Sequence, residues 1–299
     1  MLSDILPKDI WTILSTLDMN KLTEIRIRAN QPVIINYGTP YYISKSGITQ
    51  DSDNAIFSTP QMIKDIVFYA CEHSIYAHNE ELKQGYVTLN NGVRIGICGE
   101  VVWDKNNITT IKNFSSLNIR ISHSVPNCSL NIIPYLYDTR LYNTLILSPP
   151  GGGKTTILND LARQMSVLGL TQNILIVDER KEMSRDLDNV ENIDVYSNCT
   201  KKFGLINGIR TMSPDVILLD ELITKEDILA LDYAISSGVT IFASTHCGSI
   251  QELSTKPIFN GINQLGVFQR FVVLSTRLGP GTIEGVFNEK NKCIYFGEK

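Results

Sequence analysis

TLILSPPGGGKTT, residues 144–156, decides the fold of this chain. An apolar run opens the stretch, a proline- and glycine-rich turn follows, and Leu158, Leu161, Ala162, Met165 and Leu168 then recur at helical spacing up to Gly169. That is a strand, a tight loop and a helix stopped by glycine. Consecutive glycines let successive backbone N–H groups converge on phosphate oxygens, and the start of the helix adds its positive dipole end. The pattern GxxxxGK[ST] is met everywhere except at its first position, where Ser148 replaces glycine. Pro149 already pushes residue 148 toward extended backbone, so a Cβ there costs little. Lys154 is placed to reach the outer phosphates of ATP and Thr155 to ligate Mg²⁺, with Pro150, Gly151, Gly152, Gly153 and Thr156 completing the cradle.

Outward from this loop the same grammar repeats. NILIVD (173–178), DVILLD (215–220), TIFAST (240–245) and FVVLST (271–276) are short, nearly continuous Leu and β-branched runs ending in polar residues. Runs of this kind are what parallel strands buried on both faces look like, and ligands of such sheets bind at the carboxyl ends of the strands. DVILLD ends in Asp220 and is followed by Glu221. Asp220 is placed to hold Mg²⁺ through water, and Glu221 to orient or deprotonate an attacking water. A second acidic cluster, Asp178-Glu179-Arg180-Lys181-Glu182, follows the preceding strand, and its carboxylates compete for the role of base. The reading favours Glu221 as base and Glu179 as a water-holding group. His246, after Ser244-Thr245, is either an ordinary structural histidine or a sensor of the terminal phosphate.

The first part of the chain carries no catalytic motif. ILPKDIWTILSTLDM (5–19) has Ile5, Ile10, Ile13, Leu14 and Leu17 at helical spacing, LTEIRIRAN and VIINY read as antiparallel strands, and Thr59-Pro60 caps a helix expected through residue 78. Asn90-Asn91-Gly92 lies between two β-rich runs as a hairpin signal, and the C-terminal stretch reads as a second hairpin turning at residues 289–292. We therefore expect a small α+β domain over residues 1–122 and an α/β nucleotide domain over 123–299. With 299 residues, 43% hydrophobic and 19% charged, the chain has ample material for two cores. A net charge of −4 argues against a surface for non-specific capture of nucleic acid or anionic lipid. The six cysteines are scattered without a CxxC pair, which suggests free thiols in a reducing cytosol. The expectation is a cytoplasmic protein without signal peptide or spanning helix.

The order GGGKTT, VDERKE, RTMSPDVILLDE, ASTH resembles the Walker A, Asp box, Walker B and His box of the type II/IV secretion and pilus-motor ATPases. With SSLNIRI and LSTRLGPGTIEG added, nearly the whole chain is similar to the stage III sporulation AA family, engulfment-channel ATPases of endospore formers. The Asp box departs from the secretion pattern in reading Asp-Glu-Arg for Glu-Asp-Pro. The resemblance implies a RecA-like core with a PAS-like N-terminal domain. It also implies a hexameric ring and a partner channel or secretion complex at a membrane of the mother cell. It further implies arginine fingers, at positions that match Arg26, Arg28, Arg94 and Arg120 here, with Arg180 and Arg210 as further candidates. Read from spacing alone, Arg26 and Arg28 alternate with Ile25 and Ile27 as on any solvated strand face. Two rivals share this core: a motor on single-stranded nucleic acid, and a nucleotide-gated structural subunit with little turnover.

Overall fold

Strict alternation of apolar and polar residues in the first 123 residues builds a one-sided sheet, and continuous apolar runs in the rest build a two-sided one. The computed structural model describes residues 2–89, 92–121, 123, 125–179, 181–183, 187, 190–255 and 266–297. They divide into two units, 1–123 and 124–299.

In the first unit, α1 (Leu2–Ile5) and α2 (Lys8–Leu14) precede β1 (Leu22–Arg28), β2 (Ile34–Tyr37), β3 (Thr39–Ser44) and β4 (Gly47–Thr49). Next come α3 (Pro60–Ala70), α4 (Asn79–Lys83), β5 (Tyr86–Thr88), β6 (Arg94–Asp104) and β7 (Asn107–Arg120). All strands join one antiparallel sheet in the order β4-β3-β2-β1-β7-β6-β5. Ile25, Ile27, Ile95, Ile97, Leu117 and Ile119 point from the adjacent strands β1, β6 and β7 into a core shared with Ile63, Ile66 and Val67 of α3. Thr59 caps α3 through its hydroxyl, which accepts from Met62 N at 3.1 Å.

Two helices are shorter than the spacing predicts. The first breaks at Pro7, the N-cap of α2, and ends at Leu14 rather than 19. The second ends at Ala70 rather than 78, because Glu72 and His73 take left-handed φ values of +49° and +64°. The β5–β6 hairpin is present, although Asn90 and Asn91 lie outside the described residues.

The second unit runs α5 (Ile133–Leu136), β8 (Thr144–Ser148), α6 (Lys154–Val167), β9 (Ile174–Asp178), β10 (Ile193–Ser197), α7 (Lys201–Met212) and β11 (Val216–Glu221). It continues with α8 (Lys225–Ser236), β12 (Thr240–His246), α9 (Ile250–Thr255), β13 (Arg270–Ser275), β14 (Thr282–Asn288) and β15 (Cys293–Phe296). The sheet order is β10-β9-β11-β12-β8-β13-β14-β15, parallel from β10 to β13 and antiparallel beyond. Successive residues of one strand enter opposite cores: Leu145 and Leu147 join one cluster, and Ile146 joins the other with Leu158, Leu161, Ala162 and Met165 of α6. Burial on both faces is why these strands lack polar alternation. β10 is the strand that the sequence reading missed; as an edge strand with exposed Asp194, Val195 and Ser197 it has no apolar run to betray it.

Candidate nucleotide site

β8 lies between β12 and β13 and delivers the glycine loop to the carboxyl edge of the sheet. Ser148 is buried, its φ is not positive, and its hydroxyl donates to Pro149 O at 2.9 Å. The same carbonyl accepts Gly152 N at 3.0 Å, closing the loop. Glycine is therefore not demanded at 148, whereas it is at 152, where an added Cβ would stand 2.4 Å from Ser148 Oγ. Gly153 has φ +86° and rests against the 279–281 turn: a Cβ there would meet Gly281 N at 2.7 Å, and Gly281 N donates to Gly152 O at 3.0 Å. This turn, at the end of LSTRLGPG, buttresses the loop from behind. Gly153 is also the N-cap of α6 and offers no side-chain acceptor, so the helix start keeps its N–H groups for another acceptor.

Two charge clusters line this edge. In the first, Lys154 Nζ lies 2.9 Å from His246 Nε2 and 3.7 Å from Glu221 Oε2, while His246 Nε2 lies 3.2 Å from Glu221 Oε1. One ring nitrogen thus stands between an ammonium and a carboxylate and serves one of them at a time. In the second, buried Lys201 donates to Glu179 and lies 3.0 Å from Asp220 Oδ1. Burial pushes the Asp220 carboxyl up to about 6; Lys201 opposes this, and Glu179 and Asp178 reinforce it. Burial works against the Lys201 charge, but Asp220 and Glu179 outweigh it and raise its pKa. Asp178 accepts Glu182 N at 2.8 Å and Met183 N at 2.9 Å, which makes it the organiser of its loop rather than a reactive group.

The residues fit Mg²⁺. Asp220 Oδ1 is a buried oxygen whose one close polar neighbour among the described residues is the Lys201 ammonium at 3.0 Å. Among those residues no three His, Cys, Asp or Glu side chains converge on one point. A metal here would draw most of its ligands from phosphate and water, as Mg²⁺ does.

Lys201 is not marked by the sequence, because a Lys-Lys pair after a Thr cap reads as a solvated helix start. Only the sheet order, with β9 and β11 adjacent, puts Glu179 and Asp220 side by side and a cation between them.

Arg26, Arg28, Arg94 and Arg120 belong to the first unit and share one face of its sheet, opposite the core-facing isoleucines of β1, β6 and β7. Arg94 lies directly across from Arg120, which lies across from Glu24. Arg26 donates through Nε to Glu24 at 2.8 Å, and the Arg94 guanidinium stacks 3.8 Å over the Tyr86 ring. Arg210 is exposed in the last turn of α7, roughly 13 Å along the axis from Lys201 at ~1.5 Å per residue, so it is not brought to this chain's own loop. Arg180 lies outside the described residues.

The family model described as "Sporulation stage III, protein AA" matches residues 2–294. The chain belongs to this sporulation family. It is 35% identical over 308 aligned residues to Stage III sporulation protein AA of Bacillus subtilis (strain 168), covering 98% of this chain and 96% of that relative. Among solved structures, this stage III AA chain is similar to the ATPase DotB of Yersinia pseudotuberculosis, with TM-score 0.60, 14% identity and 88% and 73% of the two chains covered. It is also similar to the pilus retraction motor PilT with bound ADP, with TM-score 0.56, 15% identity and coverage of 89% and 78%. At such identities the likeness concerns the fold, which is the RecA-like α/β fold of secretion and pilus motors.

Proposed function

We propose that this protein is an ATP hydrolase that works as a motor in a ring, most simply a hexamer, and drives assembly of or transport through a sporulation membrane channel. The observation that carries the reading is the convergence of Lys154, Glu221 and His246 at the mouth of the glycine loop, with Asp220 one residue away on β11. The loop amides and Lys154 hold the β- and γ-phosphates of ATP. Thr155 and Asp220 would hold Mg²⁺, which would neutralise the charge building on the phosphate oxygens. Glu221 accepts a hydrogen bond from the attacking water and takes its proton, and His246 reports the loss of the terminal phosphate to β12. Glu179 sits one strand away as a water-holding group.

Arg26, Arg28, Arg94 and Arg120, which share one face of the antiparallel sheet, are the arginine fingers of this reading, acting on the phosphoryl group bound by a neighbouring chain. No described helix is long and apolar enough to cross a membrane, and the net charge of −4 does not favour nucleic acid as the track.

Fluorescent-nucleotide titration and ATP turnover test the reading together. Lys154→Ala is expected to lose binding by roughly a hundredfold, the scale of a charge-assisted contact to phosphate. Glu221→Gln is expected to bind normally and to lose turnover by ~10² to 10⁴. Equal turnover by wild type and Glu221→Gln would overturn the assignment of the base.

A further inference from the structure

We propose that Lys201 is a built-in counter-cation for Asp220, supplying in the metal-free protein the positive charge that a divalent cation supplies when nucleotide is bound. The inference rests on the nucleotide-site reading and deepens it. β9 and β11 are parallel neighbours, paired from Val216 with Ile174 to Leu219 with Val177, so the residues that follow each strand emerge together. At this edge the acids of the two strand ends gather, and Glu179 and Asp220 are the two that both contact Lys201, close enough for their carboxylates to repel each other.

Lys201 is the first residue of α7 after the Thr200 cap, and only 3% of its side chain is exposed. A lysine that far from water needs carboxylate partners, and it has both. The two contacts differ in kind. Glu179 receives the well-directed hydrogen bond from the ammonium, whereas Asp220 Oδ1, a buried oxygen 3.0 Å away, has no other partner among the described residues and keeps an open lone pair. The ammonium is anchored on Glu179 and only leans on Asp220. A cation arriving at Asp220 therefore has a coordination position to take while the Lys201–Glu179 hydrogen bond stays in place and keeps Glu179 neutralised. Lys201 is on this account a positioning residue: it touches the two acids and no reacting atom.

The approach of α7 is what makes this contact. Gly204 packs on Val177 and Gly208 on Leu175 of β9, so closely that a Cβ would stand 2.4 Å and 2.2 Å from their side chains. The glycine face lets the helix start reach the strand ends.

The test uses the full chain without nucleotide and reads thermal unfolding in EDTA and in excess Mg²⁺. Wild type is expected to shift little, because Lys201 already neutralises the pair. Lys201→Met is expected to melt lower in EDTA and to regain roughly 3 °C or more in Mg²⁺, equivalent to roughly tenfold tighter apparent metal binding. Lys201→Arg should retain the wild-type metal response, and Lys201→Met with Asp220→Asn should be rescued in EDTA and unresponsive to Mg²⁺. If Lys201→Met shows no Mg²⁺ response beyond that of wild type, the proposal fails. If Lys201→Met does not fold, the double variant decides: folding supports the charge argument, and failure assigns Lys201 to packing and overturns it. Nucleotide binding by wild type against Lys154→Ala, measured separately, distinguishes a failure here from a failure of the nucleotide site itself.

Discussion

Asp220 shows how one buried carboxyl couples the site to stability. Its ordinary value of 3.8 governs the unfolded chain and about 6 the folded one, with burial the leading cause. Between those values the folded protein holds a proton that the unfolded chain has lost, so stability falls as the pH rises from about 4 to about 6. The difference corresponds to about 3 kcal/mol at most, fully expressed above pH 6. Urea unfolding in EDTA should show this decline in wild type and a shallower one in Asp220→Asn; parallel curves would mean that Asp220 is as well solvated folded as unfolded. Single residues were unevenly legible. Lys154, Asp220 and Glu221 stand in motifs whose spacing fixes their neighbours. Ser148 departs from its motif, and the structure gives the reason: a residue with ordinary backbone whose hydroxyl closes on Pro149 does not need to be glycine. Lys201 was illegible, since it reaches the site from an element distant in sequence and carries no motif of its own, and Gly281, though inside LSTRLGPGTIEG, carries no sign in the sequence that it packs on the glycine loop.

At the scale of elements, apolar continuity marked β8, β9, β11, β12 and β13, and it marked them because both sheet faces are covered. The same criterion passed over β10, whose exposed edge position frees it from that requirement. Helix ends were the weak point. Apolar spacing continues past Ala70 in α3, but consecutive left-handed residues stop the helix, and periodicity does not register backbone sign. α7 offers the test proper to this scale. Glycine inside an exposed helix normally gives way to alanine with a gain of ~0.5 to 1 kcal/mol. Gly204 has Val177 against it, so Gly204→Ala is expected to lose ~1 to 3 kcal/mol by overpacking and to displace Lys201 from the strand ends. Chemical denaturation measures the first effect, and a gain in stability on substitution would show that α7 does not pack this closely.

For the whole molecule, the two sheets divide the chemistry. The parallel sheet carries the loop, the lysine and the acids, and the antiparallel sheet carries four arginines on the face opposite its own core. The glycine loop with Lys154, Glu221 and His246 is the centre of the proposed ATPase, and the proposed ring requires that neighbouring chains raise its activity. Steady-state ATP turnover per subunit, measured against protein concentration with Lys154→Ala as the blank, tests it most directly. The account predicts turnover that depends on Lys154 and climbs with concentration as neighbouring chains complete one another's sites. Turnover that is flat with concentration would contradict the ring, and activity no greater than that of Lys154→Ala at any concentration would contradict the ATPase itself.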